Sequence, residues 1–164
     1  MKQFLLLAFL LAFLFAGNAP AAHHGSGGGG PDATGKDVIA YLNQMDYQGW
    51  QLWPGKTKLY EGRHPHGALL TTYVSKGAYQ AIVSKAGSIP SGEFIVKENY
   101  TPEKELSAIT VMYKQEGYYA EGGDWFWLKY APDGTIQKEG KVGGCIGCHA
   151  AVKGNDWLFI GPVK

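Results

Sequence analysis

The chain has 164 residues, 24 of them Gly, and a formal net charge of +1. That length allows one domain with a tail, and 45% hydrophobic against 18% charged residues excludes wholesale disorder. The near-neutral balance offers no basic footprint for nucleic acid, and two Cys are too few for a disulfide-dense scaffold.

At the N-terminus, Lys2 precedes thirteen apolar residues, Phe4 to Ala16. A membrane-spanning helix needs about 20. A basic start, a short apolar middle and the small-residue stretch Ala19, Pro20, Ala21, Ala22 describe a signal peptide over residues 1–22, cleaved after Ala21 or Ala22. The competing reading is an uncleaved anchor. No Cys lies near the cleavage site, so a lipoprotein anchor is not indicated. Export to a bacterial periplasm follows, with no membrane attachment after cleavage and enough chain left for one core. Residues 23–36, HHGSGGGGPDATGK, read as a flexible leader, because four consecutive Gly cannot repay the entropy of ordering them. His23 and His24 beside a new amine would suit copper or nickel; a solvated tail is the plainer reading.

Residues 37–164 read as a single α+β domain. Val38, Ile39, Leu42 and Met45 recur at helical spacing, which predicts an amphipathic helix over 36–46. A loop with Trp50, Trp53 and Pro54 follows. Residues 68–74 (ALLTTYV) are β-rich. Residues 76–86 are predicted helical, with Ala78, Tyr79, Ile82 and Val83 as the apolar stripe and Gly87 as the stop. Strand-like runs come at 93–100, 107–115 and 124–130, and a PDG turn at 132–134 leads to a fourth at 135–142. Successive strands with short connections predict an antiparallel meander with a few packed helices. No phosphate-binding glycine motif is present.

Both Cys lie in Cys145-Ile146-Gly147-Cys148-His149. CxxCH is the attachment signature of c-type haem. Two thiols three residues apart on a helical turn can form thioethers to both vinyl groups of one haem, and the following His then reaches the iron. Three other readings use the same residues: a redox dithiol, a zinc site completed by His64 or His66, and a strained Cys145–Cys148 disulfide. Export favours haem, which is attached outside the bacterial cytoplasm. Only fifteen residues follow His149 and none is Met, so no axial Met comes after the motif. Met45 and Met112 fit a helix face and a strand, and core packing is their expected role. The expectation is a haem with His149 as its iron ligand and an open sixth position on a β-rich scaffold.

Pro65-His66-Gly67, Ile95-Val96-Lys97-Glu98, Gly123-Asp124-Trp125-Phe126-Trp127 and the late CIGCH together resemble the cytochrome P-460 family, over about residues 36–162. The resemblance implies a β-rich, usually dimeric periplasmic cytochrome with one haem c, a covalent bond from a Lys nitrogen to the macrocycle, and oxidation of hydroxylamine. It carries Cys145, Cys148 and His149 over as haem attachments and iron ligand, and Lys97 as the cross-linking residue. Read from the residues alone, Lys97 can equally be a surface Lys; alternation puts Ile95, Lys97 and Asn99 on one face and Phe94, Val96 and Glu98 on the other. Some hydroxylamine-oxidising members carry an Arg where the ungapped match here is Leu70. His66 is a candidate proton acceptor, sharing a face with Leu70 if the strand extends that far. Asp156 is a candidate base or cap, and Asp124 and Glu98 are carboxylates with expected structural roles. Trp125, Phe126, Trp127 and Tyr130 read as core and pocket wall.

Two functions follow from the resemblance. One is hydroxylamine oxidation at a five-coordinate, Lys97-modified haem, with electrons passing to an external acceptor such as a soluble cytochrome. Its rival is nitric oxide or gas binding without turnover, as in the sister beta-type cytochromes c-prime. A plain electron carrier is disfavoured by the missing Met.

Overall fold

The computed structural model describes residues 30–163. The expected signal peptide and the His23–His24 pair lie outside them. Helix α1 (Gly35–Gln44) starts where Thr34 accepts a hydrogen bond from the Asp37 amide, an N-cap. It therefore begins inside the expected leader. The end of that segment is also fastened: the Tyr113 hydroxyl donates to the Pro31 carbonyl at 3.0 Å and the Gly35 amide to Glu139 at 2.6 Å. Val38 and Leu42 form the buried stripe, whereas Met45 caps the helix and is exposed, contrary to the expected core role.

The Trp- and Pro-containing loop holds two short strands the sequence did not announce, β1 (Gln51–Leu52) and β2 (Tyr60–Glu61). Two residues carry no readable alternation. Both pair antiparallel with β3 (Leu69–Val74). Helix α2 (Lys76–Ser84) is stopped by Lys85 in the left-handed conformation rather than by Gly87. The Ala86 amide returns to the Ala81 carbonyl, so the chain has already turned before the glycine. Four strands then follow: β4 (Phe94–Tyr100), β5 (Leu106–Lys114), β6 (Trp125–Tyr130) and β7 (Ile136–Gly140). Helix α3 (Gly143–His149) runs into a 3-10 turn over Ala150–Asn155.

The seven strands form one antiparallel sheet in the order β1-β3-β4-β5-β6-β7, with β2 also on β3. This is the expected α+β meander. Its central strands are apolar on both faces because both are covered. One face carries Tyr73, Phe94, Val96, Val111, Tyr113, Phe126 and Leu128 beneath α1. The other carries Val74, Ile95, Met112, Trp125 and Trp127, packed with Ala78, Ala81 and Ile82 of α2 and with Val142, Cys145 and Ile146 at α3. Further along this second face the residues turn polar: Thr72, Lys97 and Thr110 stand in register across β3, β4 and β5. That change of character positions the site.

Candidate functional site

Helix α3 places Cys145 and Cys148 on one turn with His149 next. None of its residues is buried; Cys145 is half-buried and Cys148 exposed. Both thiols are free. Burial pushes the Cys145 thiol up, the reverse of the activation a redox dithiol needs. No cluster of three or more metal-ligating side chains forms among the described residues, and His64 is exposed, so nothing supports zinc.

The His149 ring is fixed from behind. Its Nδ1 lies 2.7 Å from the Trp157 carbonyl. A carbonyl only accepts, so Nδ1 carries the proton and Nε2 keeps its lone pair. The Trp127 ring packs at 4.7 Å between centroids and the Phe159 ring at 5.1 Å. The turn that presents the Trp157 carbonyl is strained, with Asp156 at φ 52° and Trp157 at φ 66°. Asp156 holds it there. One carboxylate oxygen pairs with Lys114 Nζ at 2.6 Å, the other accepts the Ile89 amide at 2.7 Å, and its carbonyl accepts Trp125 Nε1 at 3.1 Å. Asp156 thus stands behind His149 with both oxygens engaged, as a brace rather than a free base. The sequence pointed to Asp156 but not to Lys114 or Trp157, whose roles depend on a fold that brings them to it.

His66 reaches the site from the opposite end of the face. Strand β3 begins only at Leu69, so no shared strand face aligns His66 with Leu70. Instead His66 Nδ1 lies 3.2 Å from Asn99 Oδ1, and Asn99 is the register partner of Leu70. Asn99 is 4% exposed and its Nδ2 donates to the Lys97 carbonyl, the Ala108 carbonyl and Thr110. Its Oδ1 therefore faces His66 as an acceptor, which places the His66 proton on Nδ1 and leaves Nε2 bare. Gly67 makes this approach possible: a Cβ there would lie 2.6 Å from the Tyr100 backbone nitrogen. The His66 and His149 rings lie 6.4 Å apart between centroids in an edge-to-face arrangement at 89°.

Lys97 lies between them. Ile95, Met112 and Trp127 share one register row beneath His149; Asn99, two residues past Lys97, holds His66. Burial lowers the Lys97 amine to about 8. Burial, and after it the Lys97 charge, lower His66 to about 4; burial and the same charge also lower His149. Lys97 has no salt-bridge partner among the described residues. The other carboxylates lie elsewhere. Glu98, 1% exposed, points through the opposite face and accepts from Tyr47, Gln48 and Tyr100. Asp124 caps a loop through the Tyr119 amide. Leu70 is a buried apolar wall.

A cytochrome P460 family model matches residues 45–160, which spans every residue of this site. The chain belongs to the cytochrome P460 family. None of the curated proteins matches it. Family membership makes it a haem protein, and its own residues fit the group. Two free thiols on one turn of an exposed helix are available to bond a partner. Trp127 Nε1, beside the His149 ring, is buried with no acceptor among the described residues, which leaves a donor that a bound group could satisfy.

Proposed function

We propose that this cytochrome P460 is a periplasmic mono-haem c protein that oxidises hydroxylamine. Cys145 and Cys148 would attach the haem, His149 Nε2 would hold the iron, and Lys97 would bond the macrocycle. The haem supplies an iron at which a nitrogenous substrate binds and through which electrons leave to an external acceptor such as a soluble cytochrome. Export through residues 1–22, a leader that ends before Pro31, and a homodimer complete the reading.

The observation that carries it is the placement of Lys97. A lysine with no counter-ion among the described residues, partly buried between two histidines, is costly unless its amine has a task. Lowered to about 8, the amine is neutral far more often at pH 7 than an ordinary lysine, as bond formation requires. His66 stays neutral above about pH 4, so its bare Nε2 can accept a proton from a substrate held in front of it. Trp127, Phe159 and Leu70 wall the space with apolar surface and limit water.

Reduced haem-loaded protein is expected to show a Soret band displaced far to the red, and Lys97→Ala to return it to an ordinary c-type position. Steady-state oxidation of hydroxylamine with an artificial acceptor tests the activity, and no turnover by fully loaded protein sinks it. Leu70 favours a second reading, nitric oxide or gas binding. An apolar wall cannot donate to a bound nitrogen oxide as Arg does, and an ordinary spectrum with tight nitric oxide binding would support that alternative.

A further inference from the structure

We infer that the β6–β7 edge beside α3 is the docking surface for the electron acceptor, and that Lys129 and Lys138 fit it to a one-electron carrier protein with an acidic face. This deepens the proposed function and rests on its attachment of haem through α3.

Strand register sets the charges in place. On the face that holds the site, Thr72, Lys97, Thr110, Lys129 and Lys138 form one row from β3 to β7. Lys129 and Lys138 are direct partners in it. Like charges set opposite one another across strands repel. Neither lysine has a carboxylate within ion-pair distance among the described residues. Glu139, next to Lys138, points through the other face and accepts the Gly35 amide. Asp133, in the turn between the two strands, accepts the Thr135 amide. A lysine on an edge strand also deters edge-to-edge pairing. That purpose needs Lys138 alone, because Lys129 lies on the inner strand β6. Lys141, exposed between β7 and α3, brings a third positive charge to the same edge. The whole chain carries only +1, so any steering comes from where the charge sits and not from its total.

The pair also stands at the right place. Burial raises the Cys145 thiol, and the Lys138 and Lys129 charges oppose it, so both ammonium groups lie near the attachment residue. Lys97, further along the row, acts on the two histidines instead. The surroundings are open: α3 buries none of its residues, Cys148 is exposed, and β7 is exposed from Ile136 to Glu139. A group bonded to these thiols is therefore bordered by lysines on a surface that another protein can reach. The step there is a one-electron exchange. Ferrous haem iron becomes ferric, the oxidised carrier is reduced by one electron, and no atom or proton changes hands. An acidic face on the carrier relieves the repulsion between Lys129 and Lys138 as it docks, which raises the rate of productive encounter.

The test mixes chemically reduced, haem-loaded protein by stopped flow with two oxidised carriers, an acidic plastocyanin and a basic cytochrome c. Wild type is expected to react faster with plastocyanin as ionic strength falls. The Lys129→Gln/Lys138→Gln variant is expected to be at least about fivefold slower at low salt, with the difference gone at high salt. Removing positive charge near the iron makes the haem a stronger reductant, so a slower rate is not an effect of driving force. Lys138→Glu, a single change on the exposed edge, gives the same readout if the double variant folds poorly. With the basic carrier both variants are expected to be as fast as wild type or faster. A variant as fast as wild type with plastocyanin at low salt, a wild-type rate indifferent to salt, or equal slowing with both carriers overturns the inference. Because the haem is reduced chemically, hydroxylamine turnover on the same samples separates the two readings. Lysine-dependent rates without turnover keep the surface and remove the enzyme, and turnover with lysine-independent rates does the reverse.

Discussion

Lys97 is the residue on which function and stability pull apart. Its amine falls from an ordinary value of 10.5 to about 8 because burial disfavours the charge. The unfolded chain therefore binds more protons than the folded one between about pH 8 and 10.5, so the cost of the buried Lys97 charge is relieved as pH rises through that window and is gone above it. At neutral pH it is a cost, on the order of 1–2 kcal/mol after allowance for its partial exposure. Lys97→Met is expected to raise the urea midpoint of protein prepared without haem at pH 7 and to flatten its gain in stability between pH 8 and 10. A midpoint lowered by the substitution would mean that the charge has a partner. The sequence showed this lysine through its motif context and its side of the strand. It did not show that Asn99, two residues on, holds His66, because an Asn in a strand carries no signal until the opposite loop folds over it.

At the scale of elements, the 3-10 turn after α3 matters more than the helix itself. It ends in two consecutive non-glycine residues at positive φ, and the Asp156 carboxylate ties them to Lys114 and Ile89. Asp156→Ala removes the ion pair, strips the Ile89 amide and leaves Lys114, 12% exposed, without its carboxylate. Breaking such a pair typically costs about 3–5 kcal/mol. A fall of that size in denaturant stability with unchanged m-value is expected. The Trp157 carbonyl should also lose its place behind His149, seen as a weakened iron–histidine stretch in resonance Raman spectra of the haem-loaded variant. An intact stretch would show that Trp157 holds its position without Asp156. The long strands were legible because period-two alternation and turn residues mark them over five residues or more. The pairings of β1 and β2 were not, since two residues contain no period, and the end of α2 was missed because Lys85 rather than a glycine adopts the left-handed conformation.

For the whole molecule, the sheet separates two chemistries. The face with Lys97 and His149 holds the residues proposed to meet the haem, and the opposite face buries Glu98 among tyrosines. Tyr73 and Tyr130 are pushed up to about 12, chiefly by burial and then by the Glu98 charge, and Tyr47 and Tyr100 are raised further. Above pH 10 the unfolded chain therefore releases phenol protons that the folded chain keeps, and stability is lost as pH rises through that range. A cooperative alkaline unfolding above about pH 10, with phenolate absorbance appearing together with loss of structure, is the expected result. Phenolate signal that grows smoothly in folded protein would mean the cluster is open to water. Sedimentation of the haem-loaded protein tests the proposed homodimer directly.

The sequence by itself determined the fold class, the family and the haem signature. These are local: a strand shows its period within a few residues, and CIGCH sets two thiols and an imidazole within one helical turn. Only the tertiary structure decided what those groups face. His66 and Asn99 are 33 residues apart in the chain, and Lys114 and Asp156 are 42 apart. Their meeting depends on strand register, on the close approach Gly67 allows and on a strained turn. A one-residue slip of β4 would send Lys97 to the tyrosine side and Glu98 to the histidines. Burial of both faces selects the observed register, and with it which ionisable groups share a face with His149.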